Sequence, residues 1–282
     1  MYYVSCAFIG VLAINYANIE GSASLTTEST ETMIEKRNQK TSTDWINQLD
    51  ATLSKQRGTF TAMDAHGVPL ILEWEKVDPQ SPRINEIIKE AAEILAHTYT
   101  TMELQFARTY PELVATEMFL KPLAPLFAYG VDHVDWKAAE EVLLKNLMQF
   151  FTITDFAKYG KAQDVHLFVL ARDPQTKELL GLINYIGSKE CEYGSLKVAY
   201  FGIAATAVPR GIDKMFMSSI FKLVPEVTRL FLHTRITNEV TLSIYRTWEF
   251  NQFPGPLAYW IDMEYLVEKS DMLQKASGSL KE

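Results

Sequence analysis

The chain has 282 residues, 48% of them hydrophobic, and a formal net charge of −8. This length and composition allow a sizeable core, and an acidic chain without a basic cluster argues against a nucleic-acid-binding face. The two cysteines, Cys6 and Cys191, are too few and too far apart for a disulfide framework or a zinc site.

The first 24 residues are unlike the rest of the chain. An apolar run covers residues 4–17, no charged side chain precedes Glu20, and small residues follow at 21–24. Three interpretations stay open: a cleaved secretory signal, a membrane anchor, or a mis-assigned start or buried helix. A signal predicts a secreted or periplasmic protein and its absence a cytoplasmic one, and we expect membrane contact only if this segment is retained.

A polar segment, residues 25–43, predicts a flexible tether, which leaves 44–282 as one folded domain. The domain opens with a weak helix at Trp45–Leu53. Two strand-like runs follow, Thr59–Met63 and Val68–Trp74, and the turn 64–67 between them contains His66, which we interpret as a turn residue.

The clearest amphipathic helix begins after Ser81, a suitable N-cap, with Pro82 in its first turn. Its apolar positions recur at helical spacing: Ile84, Ile87, Ile88, Ala91, Ala92 and Leu95. Beyond it, residues 100–161 are interrupted by prolines and contain a second helix, Trp136–Phe151, capped by Asp135. We interpret 100–161 as a helical insertion, which serves either as extra core or as one wall of a substrate site.

The C-terminal part alternates strands, turns and helices. Apolar runs and turn residues predict three strands, a helix, a strand, a second helix and a closing strand. The expected elements are Val165–Arg172, Leu179–Ile186, Leu196–Ala205, a helix from Ile212, Leu230–Arg235, a helix after Asn238 and Tyr259–Leu266.

The segment from 238 to 250, NEVTLSIYRTWEF, resembles the last strand–helix unit of the GNAT superfamily of acyl-CoA N-acyltransferases. Asn238, Tyr245 and Phe250 are in register with that family's Asn, Tyr and Phe, whereas Glu249 replaces its Gly. The resemblance implies an α/β (α+β) fold with a mixed, mostly antiparallel central sheet flanked by helices. It also implies acetyl-CoA as co-substrate.

The segment from 208 to 216 resembles the family's pyrophosphate-binding loop, in which helix N-terminal N–H groups hold the phosphates. The resemblance implies cofactor contacts at five consecutive positions: Arg210, Gly211, Ile212, Asp213 and Lys214. Asp213 stands where the family has a small residue. A carboxylate about 6 Å from a phosphate charge costs roughly 3 kcal/mol before screening, so we expect weakened binding unless Arg210 and Lys214 offset it.

For the reaction, the resemblance implies that backbone N–H groups of Ile203, Ala204 and Ala205 polarise the thioester carbonyl. It implies that Asn238 contacts the cofactor arm and that Tyr245 gives a proton to the departing sulfur. No general base is assigned. His233 alternates away from Leu232 and Thr234, and Glu190, Glu192 and Tyr200 lie near the third strand.

Two functions remain open from the sequence. One is an acyl-CoA-dependent N-acyltransferase acting on a small-molecule or peptide amine, with Tyr245 as general acid. The other is a non-catalytic GNAT-like binding module, exported if residues 1–24 are a signal. Asp213 and Glu249 favour the second, and the Asn238–Tyr245–Phe250 register favours the first.

Overall fold

A computed structural model describes residues 41–78, 81–117, 120–153, 164–189, 191–255 and 259–267. The predicted leader (1–24) and nearly all of the predicted tether (25–43) lie outside these residues. Within them, no helix is both long enough and apolar enough to span a membrane.

The secondary structure follows the predicted order closely. The helices are α1 Ser42–Thr52, α2 Arg83–Glu90, α3 Ala92–Thr109, α4 Trp136–Ile153, α5 Ile212–Leu223 and α6 Glu239–Thr247. The strands are β1 Arg57–Met63, β2 Pro69–Val77, β3 Val165–Arg172, β4 Leu179–Gly187, β5 Ser195–Ile203, β6 Arg229–Arg235, β7 Asn251–Pro254 and β8 Trp260–Leu266. Short 3-10 segments cover Pro111–Leu113, Lys121–Phe127, Val131–His133 and Ala205–Arg210.

The strands form one sheet in the order β1-β2-β3-β4-β5-β6-β8-β7. Every adjacent pair is antiparallel except β5 and β6, which are parallel and joined through α5. The fold class predicted from the sequence, a mixed and mostly antiparallel sheet flanked by helices, is therefore confirmed. The order from β2 onward is the one expected from the resemblance to GNAT proteins.

Three boundaries differ from the prediction. The helix α1 starts at Ser42, because Thr41 and Asp44 form a reciprocal capping box, so residues 41–43 do not belong to a tether. The long amphipathic helix is divided into α2 and α3 at Ala91. The short exposed strand β7 was not predicted, since four residues including Pro254 carry little strand signal.

Two hydrophobic clusters cover the two faces of the sheet. One packs α1, α5 and α6 against one face, and the other packs α2, α3 and α4 against the opposite face. We call these the α5–α6 face and the α3–α4 face. The predicted insertion is helical in its described parts, and its side chains Leu120, Leu123, Ala139 and Leu143 are buried in the second cluster.

The parallel pair β5–β6 separates after three residue pairs. Pairing runs from Ser195–Arg229 to Lys197–Phe231 and then stops, although both strands continue. On its other edge β5 carries a bulge, because Asn184 pairs with Tyr200 while the next residue of β4 pairs with Val198. The extra residue strengthens the local twist and bends the strand, which accounts for the divergence. We call the opening between the C-terminal halves of β5 and β6 the cleft.

Candidate functional site

The edge of β5 that faces the cleft offers backbone N–H groups. The N–H of Ala204 donates to the carbonyl of Leu180 at 2.8 Å, so it points toward β4. Successive N–H groups of a strand alternate in direction, which turns those of Phe201 and Ile203 toward the cleft. The predicted role therefore stays a prediction for Ile203 and is wrong for Ala204, whose N–H is bonded to β4. Ala205 begins a 3-10 segment after the strand has ended, and its role also stays a prediction.

The end of α6 fixes the position of Tyr245. The Phe250 N–H donates to the Tyr245 carbonyl and the Glu249 N–H to the Arg246 carbonyl, both at 3.0 Å. Glu249 has φ +65°, and the rings of Tyr245 and Phe250 lie 5.1 Å apart. These are the bonds, the left-handed residue and the apolar contact of a Schellman C-cap. The spacing Tyr245–Glu249–Phe250 is thus a helix-ending motif.

One face of α6 directs polar side chains inward. Asn238, Thr241 and Tyr245 are all buried, and their spacing places them on the same side of the helix. Asn238 precedes α6 as predicted, but its amide donates to Thr234 Oγ1 at 3.3 Å and does not cap the helix. The hydroxyl of Thr241 meets no hydrogen-bond partner among the described residues. Buried polar atoms in this condition are rare and mark candidate ligand-binding positions.

The Tyr245 ring lies on the α5–α6 face, beside β5. Its ring centroid is 6.4 Å from that of Phe201 and 5.3 Å from that of Trp248, and its side chain is fully buried. Tyr185 on β4 is a neighbour, and burial together with Tyr245 holds the Tyr185 pKa well above its usual value. Burial of this kind disfavours the phenolate form of Tyr185.

The start of α5 carries an internal carboxylate. The Asp213 side chain lies in the first turn of the helix. Burial raises the Asp213 pKa, and the neighbouring N–H groups of Lys214 and of Asp213 itself oppose the rise. The Gly211 N–H donates to the Val208 carbonyl at 3.3 Å. A carboxylate therefore stands beside the N–H groups that were predicted to hold a pyrophosphate.

Arg210 is paired with carboxylates of the chain. Its Nε lies 2.6 Å from Asp64 Oδ2 in the β1–β2 turn, and its Nη1 lies 3.8 Å from Asp173. The turn adds backbone contacts, with the Ala65 N–H donating to the Arg210 carbonyl and His66 Nε2 lying 3.1 Å from the carbonyl oxygen of residue 209. The cofactor role of Arg210 stays a prediction, and it would require the guanidinium to be shared with Asp64 or released from it. Lys214, which is exposed, remains as the nearby cation.

The α3–α4 face of the cleft carries a buried charge cluster. Arg235, at the end of β6, is fully buried and bonds through Nη2 to Glu117 at 2.8 Å and Glu103 at 3.3 Å. Its guanidinium stacks on the ring of Phe106 at 4.0 Å, and Tyr259 donates its hydroxyl to Glu117 at 2.8 Å. Burial raises the Glu103 pKa although Arg235 opposes it.

The structure therefore brings together part of the predicted site. Ile203 ends β5 at the cleft, Tyr245 lies near Phe201 of the same strand, and Asn238 bonds to Thr234 of β6. Ile212 is buried as the first residue of α5. Phe201 was not predicted, although strand alternation indicates it once β5 is known to end at Ile203. The Asp64–Arg210 pair was not predicted either, because 146 residues separate its members and no local pattern links them.

No protein-family model and no curated protein sequence matches the chain. Among solved structures, the chain is similar to the PaiA N-acetyltransferase of Thermoplasma acidophilum in complex with coenzyme A, at 15% identity and a TM-score of 0.40, over 70% of this chain and 99% of that one. It is similar to the GNAT domain of S. lividans PAT at 12% identity and a TM-score of 0.41, over 74% and 97%. A third similarity is to the spermidine/spermine N-acetyltransferase SpeG of Vibrio cholerae, at 17% identity and a TM-score of 0.31, over 51% and 79%.

Proposed function

We propose that this chain is an acyl-CoA-dependent N-acyltransferase, with acetyl-CoA as co-substrate and an amine as acceptor. The observation that carries the proposal is the cleft itself. The β5 edge that turns the N–H groups of Phe201 and Ile203 outward has lost its β6 partner, and the helix with Tyr245 lies beside it.

An unpaired strand edge suits the pantetheine arm of a CoA thioester, whose amides pair with the backbone as an added strand would. In this arrangement Phe201 or Ile203 donates an N–H to the thioester carbonyl and stabilises the developing oxyanion. The buried polar face of α6, with Asn238 and Thr241, supplies further hydrogen-bonding groups to the arm.

Tyr245 serves as general acid in this proposal. The amine nitrogen attacks the thioester carbonyl carbon, the C–S bond breaks, and the sulfur takes the phenolic proton. In water a phenol of pKa about 10 protonates a thiolate of pKa about 8.5 only at a cost of roughly 2 kcal/mol. Burial raises the proton affinity of the thiolate and of the phenolate alike, so the transfer requires that a proton from the attacking amine reaches the Tyr245 oxygen as the phenolic proton leaves.

The carboxylate at the start of α5 changes how the cofactor is held. Asp213 lies beside the helix N–H groups, and Arg210 is paired with Asp64. The exposed Lys214 is therefore the main group left to bind the pyrophosphate. We therefore expect the pantetheine arm to supply most of the binding free energy. Measured by titration calorimetry, acetyl-CoA should bind with a weak salt dependence, because few phosphate contacts are made.

The test is turnover of acetyl-CoA with an amine panel by wild type, Tyr245→Phe and the control Tyr193→Phe. Tyr193 bonds to Gln48, at the far end of β5 from the cleft. Loss of a general acid should lower kcat about 10²-fold or more in Tyr245→Phe alone, with the folded state retained. Absence of both binding and turnover in wild type would refute the proposal and leave the non-catalytic binding module.

A further inference from the structure

We infer that His233, oriented by Asp262, is the general base that removes a proton from the acceptor amine on the α3–α4 face of the cleft. The inference rests on the proposed acyl transfer and supplies the proton acceptor that such a reaction requires. An alkylammonium ion has no free lone pair, so it must lose a proton before it attacks a thioester.

The position of His233 follows from strand register. The β5–β6 pairing ends at Lys197–Phe231, and continuing it by two residues would set His233 opposite Ala199. His233 is therefore the first residue on its face of β6 to lie beyond the paired region, where β6 has begun to diverge from β5. Strand alternation sets it on the sheet face opposite Tyr245.

The partner of His233 gives it the geometry of a base. Asp262 is its cross-strand neighbour on β8, and Asp262 Oδ1 lies 2.5 Å from His233 Nδ1. A carboxylate at Nδ1 fixes the tautomer with the proton on that nitrogen, which leaves Nε2 as the proton acceptor. The two side chains are 30% and 32% exposed, so the pair is open to solvent.

The surrounding charges are already paired. Arg229 bonds to Glu264 at 2.6 Å on one side of the His–Asp pair, and Arg235 bonds to Glu103 and Glu117 on the other. Asp262 is therefore the carboxylate that pairs with His233 on this face of β6 and β8. An ammonium ion approaching here meets the His233 imidazole and the Asp262 carboxylate.

The proton balance closes. His233 Nε2 takes one proton from the ammonium ion and later releases it to water. The freed amine attacks the thioester carbonyl carbon, the C–S bond breaks, and Tyr245 protonates the sulfur. The second proton on the acylated nitrogen restores the Tyr245 hydroxyl. The products are an amide, a free thiol and one proton, as overall acyl transfer from a thioester to an ammonium ion requires.

Two classes of acceptor distinguish a general base from a His–Asp pair that is only structural. Butylamine and a lysine-containing peptide are ammonium ions at neutral pH, whereas hydroxylamine is largely unprotonated there. His233→Gln should lower kcat about 10²-fold or more for the ammonium acceptors and less than about threefold for hydroxylamine. Asp262→Asn should show the same selectivity with a smaller loss, since it leaves His233 present but without its orienting carboxylate.

The chain offers a matched control. His97 on α3 pairs with Glu140 on α4 at 3.2 Å, and both are similarly half-exposed. His97→Gln should leave both acceptor classes unchanged. Equal losses with ammonium and hydroxylamine acceptors in His233→Gln would overturn the inference while the proposed function stood. A wild type that acetylates hydroxylamine but no ammonium acceptor would also overturn it, and one that acetylates neither would remove the proposed function and the inference with it.

Discussion

The Phe250 N–H donates to the carbonyl of Tyr245 at 3.0 Å, and the rings of the two residues lie 5.1 Å apart. This pairing closes α6 and requires the residue between them to turn the chain left-handed, with Glu249 at φ +65°. The way in which α6 ends therefore fixes the backbone of Tyr245 and the position of its ring. The register that resembles a catalytic motif is also the register of a capped helix.

Glu249→Gly should stabilise the protein. The left-handed backbone destabilises the fold by about 1 kcal/mol when the residue has a Cβ. Glycine removes this cost, but its greater freedom in the unfolded chain offsets part of the gain. We therefore expect the free energy of unfolding to rise by about 0.5–1 kcal/mol. Urea unfolding followed by circular dichroism measures the change. Glu249→Ala is the matched control, because it removes the same exposed charge but keeps the Cβ. An equal gain in both variants would show that charge, not backbone strain, is the cause.

Arg210→Met should destabilise the fold more than it weakens CoA binding. Asp64 would keep a buried carboxylate held only by the N–H groups of His66 and Val68. Breaking a buried ion pair costs about 3–5 kcal/mol, and we expect about 2–3 here because Arg210 retains some exposure. The double variant Asp64→Asn, Arg210→Met should lose less than the sum of the single variants, which a double-mutant cycle in urea detects.

The matching calorimetric measurement compares Arg210→Met with Lys214→Met. Since Arg210 is held by Asp64, its removal should change the affinity for acetyl-CoA less than that of the exposed Lys214. The reverse order would mean that Arg210 leaves Asp64 when the cofactor binds.

Asp213→Asn should tighten the binding of CoA. The carboxylate lies in the first turn of α5, beside the N–H groups that a phosphate would bind. At about 6 Å the repulsion is roughly 3 kcal/mol before screening, and halving this for solvent and salt predicts about a tenfold gain in affinity. Calorimetry with CoA and with pantetheine, which lacks the pyrophosphate, separates the causes. The gain should be confined to CoA, and an equal gain with pantetheine would contradict a charge effect on phosphate.

The sequence predicted the fold through local periodicity and the site only in part. Strand alternation in 229–235 and the apolar stripe of α2 are visible along the chain, since each element buries one face. The separation of β5 from β6 depends on a bulge at Ala199, which no single residue type announces. Likewise the Asp64–Arg210 and Arg235–Glu103 pairs join residues more than 100 positions apart. Such contacts depend on tertiary packing and leave no local pattern in the sequence. The sequence therefore could not show that Arg210, in the loop that resembles a phosphate site, is paired with Asp64.

The buried carboxyl of Glu103 predicts a dependence of stability on pH. Burial raises its pKa from the usual 4.5, against the opposing effect of Arg235. Between the unfolded and folded pKa values the folded protein therefore binds more protons than the unfolded one. The unfolding free energy must then fall as pH rises above about 4.5 and level off above the raised folded pKa.

Glu103→Gln removes this dependence while keeping an oxygen that accepts from Arg235 Nη2. Its unfolding free energy should vary less than that of wild type between pH 5 and pH 8, as measured by urea titrations at each pH. Glu112→Gln, an exposed carboxyl just beyond α3, is the control and should follow wild type. A slope unchanged in Glu103→Gln would contradict the prediction and show that Glu103 stays ionised beside Arg235.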